Sequence, residues 1–280
     1  MDRRAHRRGD PEWLAAAWGS PRGLALVVGS DGRVAADEQA DGPAALRWVP
    51  AAGLSPTPPP GAAYLGGDDG AEFFALFSAG SVPQGRTLRD IGAQLPATQA
   101  GLLTHAVALA AWHAAHRHCP RCGSVTRPVQ AGHARHCPVD ATTHFPRTDP
   151  AVIMLVTSPD ARRAVFGRQP RWPTGRFSCL AGFVEAGEAA EQAVVREVAE
   201  EVGLDVREVR FGASQPWPFP ASLMLAFTAV ADVAPIVLRD GELAEAGWFT
   251  RDELSRLLLP PRVSVARWLI DAWIAGGSAD

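Results

Sequence analysis

The chain has 280 residues, 47% hydrophobic and 20% charged, the balance of a folded globular protein, which excludes global disorder and collagen-like repetition. A formal charge of −3 leaves no net field to draw the whole surface to nucleic acid or an anionic membrane, although a local basic site survives that arithmetic. All 27 basic residues are arginine, so Schiff-base, Walker-lysine and lysine-base chemistry are excluded, while phosphate recognition by the planar guanidinium fork stays open.

In chain order, the opening MDRRAHRRGDPEW is basic but has no apolar core before Asp10 and Pro11, so no signal peptide is expected. No run approaches the roughly 18 apolar residues of a spanning helix. Four cysteines are too few for a disulfide scaffold, and a cytoplasmic protein with reduced thiols and no membrane contact is expected. A short helix is predicted at EWLAAAW and a strand at GLALVVG (23–29), closed by a Gly-Ser-Asp-Gly turn. ALRWVP (45–50) is a second strand candidate. The stretch from Ser55 to Gly61, SPTPPPG, breaks regular structure and is read as an internal loop, because YLG and AEFFALF continue the same sheet-and-helix domain. LRDIGAQL is a short helix. From Leu102 to His116 the periodicity is helical without Pro or Gly, as in a connecting helix.

Residues 116–144 are then rich in His, Arg and Cys with little apolar material. Such a segment cannot build a core of its own, so something else must hold it. After Pro150 the pattern is regular: AVIMLVT and ARRAVFGRQ as a hairpin over 151–169, an amphipathic helix from Glu188 to Val202 ended by Gly203, strands VREVRFGASQPW and SLMLAFTAVAD around a Pro-rich bend, a short strand at GWF and a closing helix SVARWLIDAWIAG. Strands and helices mixed in one unit indicate α/β layers.

Cys119, Cys122, Cys137 and Asp140 follow C-x2-C-x14-C-x2-D, two knuckles at a spacing that suits tetrahedral zinc. Three thiolates are clear ligand candidates. The fourth ligand stays open: Asp140 stands where a fourth Cys is usual, and His133, His136 and Cys179 compete. A zinc site here is structural, since a polar loop this short needs a staple. With Arg117, Arg121, Arg127 and Arg135 nearby, a nucleic-acid-binding ribbon is an alternative reading of the module.

Glu197, Glu200 and Glu201 are three and four residues apart and therefore share one helical face. As decoration, three like charges on one face cost helix stability; as hard oxygen ligands they suit Mg2+ or Mn2+. Ala190, Ala193, Val194 and Val198 supply the face that packs on a sheet. The glycines before the helix allow backbone to approach a ligand, and Gly203 is placed to end the helix in a left-handed conformation. The whole stretch, Gly182 through Leu204, reads G-x5-E-x7-R-E-U-x-E-E-x-G-U with U aliphatic, and resembles the signature of the Nudix hydrolases. The resemblance implies a metal-dependent attack of water on a diphosphate joined to a nucleoside. It implies Glu197, Glu200 and Glu201 as metal ligands, one glutamate as proton acceptor, Arg196 as the residue that orients the glutamates by a salt bridge, and Glu188 as a support near the loop.

A second motif, Ser214-Gln-Pro-Trp-Pro-Phe-Pro-Ala-Ser222, has three prolines that fix a rigid loop. It resembles the SQPWPFPxS signature of NADH pyrophosphatases within that family, as do the ribbon and the lead-in Phe145-Pro146-Arg147-Thr-Asp-Pro150. The resemblance implies an α/β fold: a Nudix α/β/α sandwich with a mixed sheet, preceded by a zinc-ribbon module and a smaller N-terminal α/β domain. The expected boundaries are 1–115, 116–144 and 145–280. Phe183 and Phe145 are expected to stack on a flat base, with Gln215, Trp217, Phe219 and Ser222 as further substrate contacts. Glu242, after the Asp240-Gly241 turn, resembles the family's late metal-binding glutamate, with Glu245 more remote. The implied activity is hydrolysis of NADH, and of NAD+, to nicotinamide mononucleotide and AMP by a homodimer with Mg2+ or Mn2+ and structural Zn2+. The same bond occurs in NAD-capped RNA. The alternatives are a hydrolase of ADP-ribose or another dinucleoside diphosphate, and a ribbon-based nucleic-acid-binding protein.

Overall fold

The computed structural model describes residues 1–37, 43–68, 70–239 and 241–276. The chain divides into two compact units, Met1–Arg147 with Pro218–Ala221, and Thr148–Trp217 with Ser222–Asp280. Among the described residues, no helix is long and apolar enough to cross a membrane.

In the first unit α1 (Pro11–Gly19) starts where a helix should: the Asp10 side chain accepts from the Trp13 N–H at 3.0 Å and Pro11 needs no partner. The strands are β1 (Gly23–Val28), β2 (Ala36–Asp37), β3 (Ala45–Leu46), β4 (Val49–Pro50), β5 (Ala63–Gly67) and β6 (Glu72–Phe77). They form a four-stranded sheet in the order β4-β1-β6-β5 and a separate β2-β3 ribbon. ALRWVP, expected as one strand, is split between the two sheets. Trp48 turns into the core against Phe73, and Pro50, which cannot donate, sits on the edge strand. Next come α2 (Leu88–Ile91) and α3 (Ala97–Ala115). Helix α3 lays Leu102, Leu103, Ala106, Val107 and Leu109 on the apolar cluster that contains Leu26, Val28, Leu65 and Ile91. Its C-terminal end leads directly into the cysteine segment.

That segment is a three-stranded sheet of β7 (Arg127–Val129), β8 (Ala134–His136) and β9 (Thr143–His144). Its β7-β8 hairpin is docked on β5 and α3. Gln130, Ala131 and Gly132 all have positive φ, and a Cβ on Gly132 would lie 2.7 Å from the Ala63 Cβ, so only glycine permits the approach. The Tyr64 N–H donates to the Ala131 carbonyl at 3.0 Å. His133 Nε2 meets the Tyr64 carbonyl at 2.7 Å and His113 Nε2 the Gly132 carbonyl at 2.8 Å. Arg135 is buried and makes three hydrogen bonds: it donates to the hydroxyl and the carbonyl of Thr126 and to His113 Nδ1. His113 is therefore the neutral tautomer with its proton on Nε2, in keeping with burial lowering its pKa.

The second unit is built on β10 (Asp149–Thr157), β11 (Arg163–Arg168), β12 (Leu180–Phe183), α4 (Ala190–Val202), β13 (Arg207–Trp217), β14 (Ser222–Val230), β15 (Glu245–Thr250), α5 (Arg251–Leu254) and α6 (Val265–Ile274). The sheet order is β13-β14-β10-β11-β15, with β12 also paired to β10. The β10–β14 pairing is parallel and the others are antiparallel. Alternation along β10 makes the layers. Val152, Met154 and Val156 point to one face and pack with Val194, Val198 and Val202 of α4. Ile153 and Leu155 point to the other and pack with Leu269, Ile270 and Trp273 of α6. The expected α/β/α sandwich with a mixed sheet is what forms.

Candidate active site and metal centre

Strand β12 ends at Phe183, and residues 184–189 lead into α4. The Ala189 N–H donates to the Gln192 side chain at 3.1 Å. At the far end Gly203 has φ 70° and donates to the Ala199 carbonyl, the left-handed stop expected from its position. The apolar stripe of α4 faces the sheet, and Glu197 and Glu201 lie buried on the same helix while Glu200 is exposed.

Arg196 is the hub of this region. Its Nε and Nη2 hold both oxygens of Glu188 at 2.8 Å, its Nη1 reaches Glu197 at 2.8 Å and Glu200 at 3.0 Å, and Nη2 also donates to the Phe183 carbonyl at 2.9 Å. One planar fork thus ties the loop, the helix and the end of β12 together. Glu188 additionally accepts from the Glu185 N–H at 3.0 Å. Its hydrogen bonds, first to Arg196 and then to this N–H, hold its carboxyl down at about 2.

Glu197 has the opposite bias. Burial, first, and the charges of Glu200 and Glu242 push its carboxyl above the usual value, while Arg196 draws it down. Its carboxylate lies directly against Gly182: a Cβ there would fall 1.9–2.1 Å from the Glu197 carboxylate atoms. The glycine that opens the motif is what makes room for the acid fifteen residues later. Hard carboxylate oxygens, one of them partly desolvated and crowded by like charge, are a donor set that fits Mg2+ or Mn2+. Glu197, Glu200, Glu201 and Glu242 do not themselves close to within 4.8 Å as a group among the described residues, and Arg196 stands between two of them. Glu242 is exposed; Asp240, which begins its turn, lies outside the described residues. Glu245 is turned to Arg168 at 2.8 Å instead.

Phe183 and Phe145 are both exposed, at 59% and 63%. The SQPWPFP residues are placed differently from one another. Gln215 spends its amide on backbone, donating to the Val263 carbonyl at 2.6 Å and accepting from the Val265 N–H at 2.7 Å, and so fixes the start of α6. Trp217 is half-buried at the end of β13 and Ser222 is buried at the start of β14. Phe219 belongs to the first unit, where its ring packs on that unit's core under the Arg89 guanidinium, 4.0 Å from the ring centre.

In the ribbon, one ligand atom from each of Cys119, Cys122, Cys137 and Asp140 lies within 4.8 Å of the others. Cys122 and Cys137 sulfurs are 3.5 Å apart, and Cys119 donates to Asp140 Oδ2 at 3.2 Å. The knuckle is held by neutral groups. The Arg121 N–H points at the Cys119 sulfur at 3.4 Å. Thr142 donates to Asp140 Oδ1 from both its N–H and its hydroxyl, at 3.0 and 2.5 Å. Against burial, which pushes the Cys119 thiol up, the N–H groups of Arg121 and Cys122 draw it down to about 7. Three thiols and a carboxylate converging this closely fit zinc. Of the competing fourth ligands, His133 is committed to Tyr64, and neither it nor His136 belongs to the cluster. Cys179 is buried in the core beneath α6, its thiol pushed up to about 12 by burial.

The residues that sequence reasoning missed are Thr142 and the Arg135–Thr126–His113 network. Only Gly182 carried a signal for its role, being a glycine within a strand, where close approach of another group is the usual reason.

Residues 147–271 match the model of the NUDIX domain, and residues 114–145 that of the NADH pyrophosphatase zinc ribbon domain. The chain is similar to the NAD-capped RNA hydrolase NudC of Mycobacterium bovis (strain BCG / Pasteur 1173P2), at 41% identity over 98% of this chain and 92% of the relative. It is also similar to the NAD-capped RNA hydrolase NUDT12 of Homo sapiens, at 40% identity over 65% of this chain and 43% of that protein. A NUDIX hydrolase structure from Nitrosomonas europaea matches 57% of this chain and 94% of its own, with TM-score 0.47 and 21% identity.

Proposed function

The chain belongs to the Nudix hydrolases, and within them to the NAD-capped RNA hydrolases, and on that premise we propose that it hydrolyses the pyrophosphate of NADH and NAD+ to nicotinamide mononucleotide and AMP. It cuts the same bond in an RNA that begins with NAD, leaving a 5'-monophosphate end. The observation that carries this reading is the single guanidinium of Arg196 gathering Glu188, Glu197, Glu200 and the Phe183 carbonyl.

Glu197, Glu200, Glu201 and Glu242 would hold the divalent ion, Mg2+ or Mn2+, which when bound neutralises phosphate oxygens and makes water acidic enough to attack. Arg196 fixes the rotamers of Glu197 and Glu200, and Glu188 in turn fixes Arg196, so the carboxylates are in place before substrate arrives. Gly182 leaves the space in which the Glu197 carboxylate sits. A glutamate of this set takes the proton of the attacking water. The water oxygen bonds to phosphorus, the bond from phosphorus to the bridging oxygen breaks, and the departing nucleotide keeps that electron pair. Phe183 offers a flat apolar face for a base, Phe145 offers a second, and Trp217 and Ser222 stand at the hairpin end of the sheet that carries Phe183, while Gln215 acts indirectly by fixing the start of α6 and Phe219 stays packed under Arg89. The exposure of Phe183 and Phe145 supports this, since base stacking tolerates either ring of the dinucleotide.

Cys119, Cys122, Cys137 and Asp140 hold a structural Zn2+. Functionally the chain is three modules, 1–115, 116–144 and 145–280, acting as a homodimer in the cytoplasm. The exposed ring of Phe211 supports an apolar contact between copies, and cysteines gathered as thiols for a metal support a reducing compartment.

The test is chromatography of products after incubation with NADH, NAD+ and ADP-ribose, each with Mg2+, Mn2+ or chelator. Reduced nicotinamide mononucleotide plus AMP, abolished by chelation, is the expected result. Turnover of ADP-ribose with NADH untouched overturns the substrate reading.

A further inference from the structure

Arg135 of β8 is only 7% exposed, and every group it bonds is neutral: the Thr126 hydroxyl and carbonyl, and His113 Nδ1. A guanidinium carries five N–H groups, so these three bonds leave one N–H on each Nη. The charge that acts on it is that of Arg117, of the same sign. Burial first, and Arg117 second, lower the Arg135 pKa. Arg117 is exposed, and among the described residues no carboxylate pairs with either arginine. Buried charges are ordinarily paired, so two guanidiniums close enough to repel, with no acid between them, point to an anion.

Both arginines border a cavity of about 1100 Å3 whose lining residues all belong to the first unit. It opens beyond the carboxyl ends of β1 and β6, parallel neighbours in their sheet. Residues 29–32, which follow β1, stand in its wall, as do Ser78 and Ala79, which follow β6. Such a crevice is where α/β sheets commonly take ligands. Another wall is α3: Val107, Ala111 and Ala114 line it, and the helical rise puts roughly 10 Å between the first and the last. The 29–32 turn stands at the Val107 end, since a Cβ on Gly32 would meet Val107 Cγ1 at 4.0 Å, and it carries the Asp31 carboxylate. At the other end are Arg117, two residues past the helix, and Arg135. The surface between is small and apolar, with the Phe77 ring beside His113. Arg89 also borders the cavity but is engaged over the Phe219 ring.

We propose that this cavity binds a nucleoside monophosphate, with its phosphate on Arg117 and Arg135 and its sugar and base along the apolar wall, where Asp31 accepts a polar hydrogen at the far end. A phosphate monoester carries close to two negative charges at pH 7, which matches two guanidiniums better than one carboxylate does. The guanidinium fork is also shaped for phosphate oxygens. Bare phosphate would use one end of the cavity alone, and the apolar length beside it suits a flat body. The inference goes beyond the hydrolysis proposed above and does not rest on it, because none of these residues belongs to the carboxylate helix.

The test is equilibrium dialysis of AMP against the full chain without added Mg2+ or Mn2+, with adenosine and inorganic phosphate as separate probes. AMP binds, and adenosine and phosphate each bind far more weakly. Arg117→Ser weakens AMP about tenfold to a hundredfold, the usual worth of a charge-assisted hydrogen bond. Ala114→Trp, which fills the cavity from an exposed position of α3, abolishes binding. Both variants melt at the parent temperature, and Phe183→Ala binds AMP as the parent does. If Arg117→Ser keeps the parent affinity, or if Phe183→Ala is the variant that loses AMP, the nucleotide sits elsewhere and the proposal is wrong. Phosphate bound as tightly as AMP overturns the nucleoside assignment, and no AMP bound at millimolar concentration removes the site. NADH turnover measured on the same samples reads failure of the hydrolase assignment separately from failure of this one.

Discussion

The ribbon cluster and the carboxylate helix are both anionic, yet they are assembled on opposite electrostatic plans. In the ribbon, three thiols and Asp140 converge within 4.8 Å, and the groups seen to hold them are neutral: backbone N–H and the Thr142 hydroxyl. In the helix, the charge of Glu188, Glu197 and Glu200 is met by one guanidinium built into the chain. A converging anionic cluster with neutral supports is complete only with a cation, so its metal is part of folding. A cluster that carries its own arginine can fold first and take or release a metal during turnover. The contrast predicts that damage to the ribbon is read in stability and damage to the helix in rate.

The largest separation between the two comes from Glu201→Gln and Glu200→Gln. Each removes a proposed carboxylate ligand while keeping its shape, and kcat on NADH is expected to fall about 1000-fold or more, roughly 4 kcal/mol of transition-state stabilisation. The melting temperature should hold or rise for Glu201→Gln, because like charges on one helical face are relieved, and should change little for Glu200→Gln, which also gives up an exposed ion pair with Arg196. Turnover that survives both substitutions would remove the hydrolytic site from α4. Cys137→Ser should do the reverse: zinc content by elemental analysis falls to background and the melting temperature drops by about 10 °C, as for a loss near 3 kcal/mol in a domain of this size, while the folded fraction keeps its kcat. Arg196→Lys sharpens the comparison from inside the helix. It keeps a charge but loses the fork, and since such outer supports of a metal site are usually worth 10–100-fold, kcat should fall by about that much with zinc content unchanged.

How much of this could be read in advance follows sequence distance. The helix site was legible because Gly182 to Leu204 is one continuous stretch whose spacing alone puts the glutamates on one face. Even the Arg196 clamp reaches no farther than Glu188, eight residues away, and Phe183, thirteen away, both inside that stretch. The convergence of Cys119, Cys122, Cys137 and Asp140 was legible for the same reason, but not what holds the ribbon. That answer lies in His133 against Tyr64, 69 positions apart, and Arg135 against His113, 22 apart, pairings that no local pattern encodes. The SQPWPFP stretch was legible as rigid and aromatic but not as divided. Gln215 is spent on backbone 48 and 50 residues onward, and Phe219 belongs to the other unit. ALRWVP failed as one strand because its hydrophobic content gave no hint that two sheets would share it.

The smallest effect tests the fourth ribbon ligand. Asp140 has both oxygens engaged, Oδ1 by Thr142 and Oδ2 by Cys119, which keeps its carboxyl well below the ordinary range, first through the Thr142 hydroxyl. Asp140→Cys replaces a hard oxygen by a softer sulfur that zinc binds more tightly, but it forfeits the two Thr142 bonds that aim the carboxylate. The gain and the loss are of similar size, so zinc should resist chelator longer while the melting temperature moves by only about 2–4 °C, the equivalent of about 1 kcal/mol. Asp140→Ala, with neither ligand nor orientation, should release zinc readily. If Asp140→Ala keeps its zinc and His136→Ala loses it, the fourth ligand is the imidazole. The two-knuckle geometry would then close through β8 rather than through the turn at Asp140.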